Sequence, residues 1–287
     1  STDFRFEGFA AQVVPLPPRD EQDRITAYLD YIDRRTHRYI RAKRNLIALL
    51  EEQKQAIIHR AVTRGLDPNV RLQPSGVEWL GDIPEHWKVG KLKYEMTFSG
   101  GGTPSKANET YWIGEIPWVS PKDMKAEVLS DTEDHITKQA LIESSSRLVP
   151  AGSILMVVRS GILQRTIPIA LCARDVALNQ DMKALSPIGR IVPEYFVLLV
   201  RGCEQVLLTE WRKRGATVES IEHTYLANTK IPIPERDEQD AIVRFLKATT
   251  ARLGPAIDAA CREIDLVREY RTRLIAVEEY GNVVYGA

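Results

Sequence analysis

The sequence predicts an α+β fold: a mixed body of short strands and helices carried between two long helices. Three observations predict it. A fifteen-residue stretch occurs twice, each copy opens an apolar stripe at three-four spacing, and the segment between alternates strand-like and helix-like runs too irregularly for a doubly wound sheet. The first copy begins Pro15-Leu16-Pro17-Pro18-Arg19-Asp20-Glu21-Gln22-Asp23. The second begins Pro232-Ile233-Pro234-Glu235-Arg236-Asp237-Glu238-Gln239-Asp240, offset by 217 residues, and nine of the fifteen positions are identical. That period is too long for a solenoid, whose units run to tens of residues. It marks a duplicated unit of globular domain plus helix.

Each copy has the grammar of a helix start. The prolines fix an extended entry, and Asp20-Glu21 and Asp237-Glu238 put negative charge on the first turn, where the helix dipole favours it. In the first helix Ile25, Leu29, Ile32, Leu50 and Ile57 fall on one stripe. In the second Ile242, Leu246, Leu253, Ile264 and Leu274 do the same. Such spacing over six turns or more is a coiled-coil seam. The first helix is expected over 19–65, stopped by Gly65 as a C-terminal cap. The second is expected over 231–287, with a kink or restart at Gly254-Pro255, where proline removes one ladder bond.

The totals exclude several classes of protein. The 39 basic and 39 acidic residues balance, so no bulk polyelectrolyte behaviour is implied. Residues 19–64 carry 11 Lys/Arg against 7 Asp/Glu, and 86–218 carry 17 against 14. Nucleic-acid binding would rest on shape and a few placed cations. Cys172, Cys203 and Cys261 are odd in number and far apart, and read as reduced thiols of a cytoplasmic protein. The five histidines have no ligand spacing. No signal peptide or membrane-length apolar run is present.

Along the chain, residues 1–18 read as the tail of a preceding domain. Residues 66–87 read as a linker in which Trp79 and Trp87 act as packed platforms. The body at 88–230 shows strand patterns at Val89–Phe98, Ser153–Val158 and Thr166–Leu171, and helix patterns at Ile136–Ser145 and Pro193–Trp211. Three loops stand out. Ser99-Gly100-Gly101-Gly102-Thr103-Pro104-Ser105-Lys106-Ala107-Asn108 lacks the Gly-Lys-Ser/Thr ending of a phosphate loop, and its glycines suit close approach to a ligand. Arg159 to Arg165 presents two arginines and Gln164, the side chains that read guanine and adenine edges. Trp211-Arg212-Lys213-Arg214-Gly215-Ala216-Thr217 ends a helix on a basic cluster. Together the loops point to a polyanion.

The combination resembles the specificity (S) subunits of Type I restriction-modification systems. The resemblance is carried by several motifs: the paired Pro-x-Pro…Asp-Glu-Gln helix starts; Gln53-Lys54-Gln55-Ala56-Ile57-Ile58 running into Val62-Thr63-Arg64-Gly65; Ser75-Gly76-Val77-Glu78-Trp79-Leu80-Gly81-Asp82-Ile83-Pro84-Glu85-His86-Trp87; Gly101-Gly102-Thr103-Pro104-Ser105; Ile116-Pro117-Trp118-Val119-Ser120-Pro121-Lys122-Asp123-Met124; and Asn179-Gln180-Asp181. It covers nearly the whole chain.

The resemblance implies that 88–230 is a target recognition domain reading one half of a bipartite double-stranded DNA target. It implies two long antiparallel coiled-coil helices that act as spacer and dock methyltransferase (M) subunits, with the restriction (R) subunit joining. The chain itself would be no enzyme and hold no cofactor or metal: S-adenosylmethionine, Mg and ATP would belong to the partner subunits. Base or phosphate contacts are expected from Lys106, Asn108, Lys122, Arg159, Gln164, Arg165, Arg212, Lys213, Arg214 and Thr217. With one recognition domain against two helices, a full target is expected to need a first recognition domain or a second chain in a homodimer, which would make the target palindromic. Two rival readings remain: a small nuclease using Asp123, Asp131, Glu133 and Asp134, and a coiled-coil scaffold that binds only protein.

Overall fold

A computed structural model describes residues 16–213, 215 and 217–284. The chain divides into two compact units, one of residues 1–52 with 252–287 and one of Gln53–Ala251. The first unit is a pair of helix segments. Helix α1 spans Arg19–Arg64 and contributes its part up to Glu52; the C-terminal helix spans Arg236–Val284 and contributes its part from Arg252. The segments run antiparallel. Arg271 makes a two-point pair with Asp33 at 2.6 and 3.0 Å, while Glu263 accepts from Lys43 at 2.6 Å and also from Tyr39. These pairs set Ile264 level with Ile40, and Leu253 level with Leu50. Thr36, Ala260 and Ile264 are buried, and Ile25, Leu29, Ile32, Leu50, Leu253 and Leu274 are half-buried.

The globular unit is wider than the expected 88–230 body, because it takes in the last turns of α1 and the first turns of the C-terminal helix. Strands β1 (Leu72–Pro74) and β2 (Asp82–Pro84) form a hairpin in the expected linker. Trp87 there is buried, and its Nε1 donates to Glu238 at 2.9 Å. Strand β3 (Lys88–Lys91) later pairs with β13 (Lys230–Ile233). Then come β4 (Met96–Gly100), β5 (Ile116–Val119), β6 (Val128–Leu129), β7 (His135–Ile136), α2 (Lys138–Glu143), β8 (Leu148–Val149), β9 (Ile154–Val157), β10 (Ile169–Cys172), β11 (Val176–Leu178) and β12 (Met182–Pro187). Helices α3 (Pro193–Gly202), α4 (Glu204–Trp211) and α5 (His223–Asn228) precede β13, and α6 is the Arg236–Val284 helix.

The strands make a five-stranded sheet, β4-β12-β9-β10-β6, and a four-stranded one, β7-β5-β11-β8, both mixed in direction. Strand β9 explains its own sequence. Ile154 and Met156 face one core with Phe196, Leu199, Ile58, Val62, Ile242 and Leu246, while Leu155 and Val157 face a second core with Val119, Leu178 and Met182. A strand buried on both faces needs a continuous apolar run rather than alternation. The register agrees: Ala184 lies opposite Leu155, and Leu185 opposite Ile154.

Several expectations change in detail. The strand over 89–98 is two strands, broken by a 3-10 turn at Leu92–Tyr94. The helix at 136–145 starts later, because Ile136 pairs with Ile116 in β7 and Thr137 caps α2 through Ala140 N. The helix over 193–211 is divided at Cys203. Among the described residues no helix is long and apolar enough to cross a membrane.

The repeated motif has a structural meaning. In both copies the backbone carbonyl before Arg19 or Arg236 accepts the N–H groups of the Glu and Gln, all at 3.0 Å. In both copies the glutamine side chain reaches back five residues: Gln22 Nε2 donates to Pro17 O at 2.7 Å, and Gln239 Nε2 to Pro234 O at 2.9 Å. The motif locks the proline entry onto the helix start. At the other end of α1, Gly65 adopts φ 74° and its N–H closes on Ala61 O at 3.2 Å, as the cap reading predicts. No restart occurs at Pro255, because α6 is continuous through it. Ala260 and Ile264, in the turns that follow it, are buried.

Candidate nucleic-acid interface

Four segments of the globular unit converge on an open cleft of about 730 Å³, lined by Pro121, Arg159, Ser160, Asp181, Lys213 and Thr217, with Gly215, Val218 and Ser220. The convergence is fixed by backbone. Ser160 N donates to Glu219 O at 3.0 Å, Lys213 N to Ser220 O at 2.8 Å, and Ile221 N to Val158 O at 2.8 Å. The arginine loop and the basic loop are therefore stitched together, although they lie more than fifty residues apart. A single-residue bridge joins Arg159 to Ser220.

The predicted site residues divide into groups. Arg159, Lys213 and Thr217 share the cleft wall. Arg159 donates from Nε to Asp181 Oδ1 at 2.6 Å and keeps half its side chain exposed. Lys213 lies 3.8 Å from Glu222. Arg212 makes a two-point pair with Glu219, its Nε at 2.7 Å, which pins the base of the basic loop and raises the guanidinium pKa. Lys122, next to the cleft residue Pro121, bridges Glu133 and Asp134 at 3.0 Å each. These bonds hold its ammonium well above the ordinary lysine value. Gln164 and Arg165 are exposed at the end of a 3-10 turn (Gly161–Gln164) pinned by buried Leu163, and Arg165 makes no ion pair among the described residues. Asn108 caps the 3-10 turn Glu109–Trp112 through Thr110 N, and Lys106 is exposed just before it. Arg214 and Ala216 lie outside the described residues.

Two readings of the glycine loop and the acidic loop need correction. A side chain on Gly101 would collide with the carbonyls of Leu178 and Asn179, and one on Gly102 with Ser145 and Ser146. The close approach these glycines permit is to the protein's own backbone, with Gly102 N donating to Leu178 O at 2.8 Å. The acidic loop spends its carboxylates locally. Asp123 Oδ2 accepts from Ser120 N and Oγ at 2.8 and 2.7 Å, Asp131 pairs with His135 at 2.8 Å, and Glu133 and Asp134 hold Lys122. Among the described residues no group of three His, Cys, Asp or Glu is placed to hold a metal ion.

The sequence reading missed Asp181, Ser160 and Ser220. The Asn179-Gln180-Asp181 motif was visible, but its proximity to Arg159 was not. Beside the cleft, Lys183 shares the buried face of Met156, and burial pushes its ammonium pKa down. Burial pushes the Cys203 thiol up to about 12, so it remains protonated at neutral pH.

The globular unit is thus a mixed-sheet body in which separate segments bring cations and hydroxyls to one cleft. Residues 84–254 match the family described as Type I restriction modification DNA specificity domain, and the chain belongs to that family. It is 33% identical over 261 residues to the Type I restriction enzyme EcoR124I/EcoR124II specificity subunit of Escherichia coli, over 90% of this chain and 60% of the relative. It is 32% identical over 173 residues to the MjaIX specificity subunit of Methanocaldococcus jannaschii, over 58% of this chain and 38% of the relative. The fold is similar to a chain from a solved type I R-M system (TM-score 0.70, 17% identity, 93% of this chain and 60% of that one). It is also similar to the HsdS subunit from Thermoanaerobacter tengcongensis (TM-score 0.54, 17% identity, 92% and 59%). The resemblance to specificity subunits read from the motifs is borne out.

Proposed function

We propose that the globular unit reads one half of a bipartite DNA sequence for a Type I restriction-modification complex, with all chemistry in partner subunits. The observation that carries this reading is the cleft in which Arg159 of one loop meets Lys213 and Thr217 of another. Arginine supplies the fork that pairs with guanine O6 and N7, and exposed lysines serve phosphates. The helix pair is the spacer on which methyltransferase subunits dock. Its exposed apolar residues, Tyr28, Tyr31, Leu46 and Leu49 on α1 and Leu266 and Tyr270 on α6, are the side chains a docked subunit would cover. The restriction subunit, S-adenosylmethionine, magnesium and ATP enter through those partners. A second copy of this chain, or another recognition domain, supplies the other half of the target.

The test is binding to a randomised duplex library, with and without the methyltransferase subunit, at two salt concentrations. Enrichment of a short motif with a salt slope from a few phosphate contacts supports the reading. Equal binding of all sequences, or none with the subunit present, favours a protein-only scaffold.

A further inference from the structure

The Asn179-Gln180-Asp181 turn lies where the loops meet. It is rigid: Asn179 is buried, its Oδ1 accepts from Asp181 N at 2.9 Å, and its own N–H donates to Val119 O at 2.9 Å. Each of the next two residues holds one loop. Gln180 accepts from Thr103 of the glycine loop. Asp181 accepts at its carbonyl from the N–H groups of Val158 and Arg159, at 2.8 and 3.2 Å, and at Oδ1 from Arg159 Nε at 2.6 Å. One residue thus fixes both the backbone and the side chain of Arg159.

The geometry has a chemical consequence. A guanidinium carries five N–H donors in one plane. With Nε engaged by Asp181, the fork left over is the Nη1–Nη2 edge, and two coplanar donors are what a bidentate contact to guanine requires. The carboxylate also repels phosphate, so a cleft built only to attract a polyanion would be better without it. We propose that Asp181 is a positioning residue for base readout, aiming the Nη1–Nη2 edge of Arg159 at a guanine of the half-site. This rests on the half-site reading of the globular unit.

The experiment is site selection from a randomised duplex library with the full chain and its methyltransferase subunit, plus affinity for a scrambled duplex and thermal melting. Asp181→Ala and Arg159→Ala are expected to flatten the same single base position, by roughly five- to 150-fold. The double variant should flatten it no further. On the scrambled duplex Asp181→Ala should bind several-fold more tightly and Arg159→Ala more weakly. Asp181→Asn, which keeps an acceptor oxygen, should restore part of the discrimination, and it carries the test if the alanine variant does not fold. The proposal is overturned if the aspartate variants keep that position as sharp as the wild type. It is also overturned if they lose all positions evenly with a fall in melting temperature, which would make the turn merely structural. If the wild type selects a motif that Arg159→Ala leaves intact, only the role of Asp181 falls. If the wild type selects none, the half-site reading falls with it.

Discussion

At the scale of single residues, the site is a set of cations already in the grip of carboxylates. Arg159 with Asp181, Arg212 with Glu219, and Lys122 with Glu133 and Asp134 are surface pairs whose net stabilising effect is small. Their effect is on aim. Arg212 is held side-on by Glu219 through Nε and Nη2, a bond that ties down the basic loop, so Arg212→Ala should loosen that loop and weaken binding without altering which base is chosen. Arg165 is exposed and lines no part of the cleft. As a phosphate contact, its removal should weaken binding evenly across sequences and lower the logarithmic salt slope by about one. Titrations of Arg165→Ala at several salt concentrations check this, and a slope equal to the wild type removes Arg165 from the interface. The cations were legible in the sequence, whereas their pairing was not. The partner carboxylates lie seven to 22 residues away along the chain, in segments that the fold alone brings together. The glycine loop was misread for a related reason: close approach can serve the ligand or the protein's own strand, and spacing does not distinguish them.

At the scale of elements, periodicity found the long helices, because their solvent side is polar over many turns. The short strands were harder to bound. Strand β9 has no alternation to show, and the 3-10 turn at Leu92–Tyr94 interrupts a run that reads as one strand. Leu155→Ala should destabilise the globular unit by about 2–5 kcal/mol, since that side chain fills a core on the inter-sheet face. Gln239 is fully buried, accepting from Val192 N at 2.8 Å and donating to Arg190 O and Pro234 O. Gln239→Ala should therefore cost about 1–3 kcal/mol through unpaired backbone groups. Gln22→Ala should cost less, because that copy is only part-buried; equal losses in denaturant melts would contradict this. The seam residues divide between environments that sequence alone could not separate. Ile242 and Leu246 are buried in the globular core with Ile58 and Val62, while Ile264 is buried in the helix pair. Ile264→Asp should open the pair and leave the globular unit folded.

The helix pair also has a predictable response to acid. The hydrogen bond from Arg271 holds Asp33 below its ordinary value, and bonds from Lys43 and Tyr39 do the same for Glu263. A carboxyl group with a lowered folded pKa contributes stability above its unfolded value, and that contribution is lost as pH falls through the folded one. The pair should hold from neutral pH to about pH 4 and weaken below it. The stability difference between wild type and Arg271→Ala should therefore shrink below about pH 4. An unchanged difference in acid would contradict the assignment.

At the scale of the whole molecule, two compact units correspond to two proposed tasks: a globular reader, and a helix pair that spaces readers and docks partners. The duplicated helix starts made both long helices legible, since the same Asp-Glu-Gln lock opens each, but not the points at which each helix passes from one unit to the other. What the sequence withheld is the identity of the bases, because the proposed readers are side chains at a loop junction rather than a fixed motif. The central claim is that the globular unit sets the sequence at which a partner acts. Its most direct test is to express the full chain with its methyltransferase subunit and map modified bases across a genome. The account predicts modification at one recurring motif in which Arg159→Ala relaxes a single position. Modification unrelated to sequence, or a motif unchanged when the cleft residues are replaced, would contradict it.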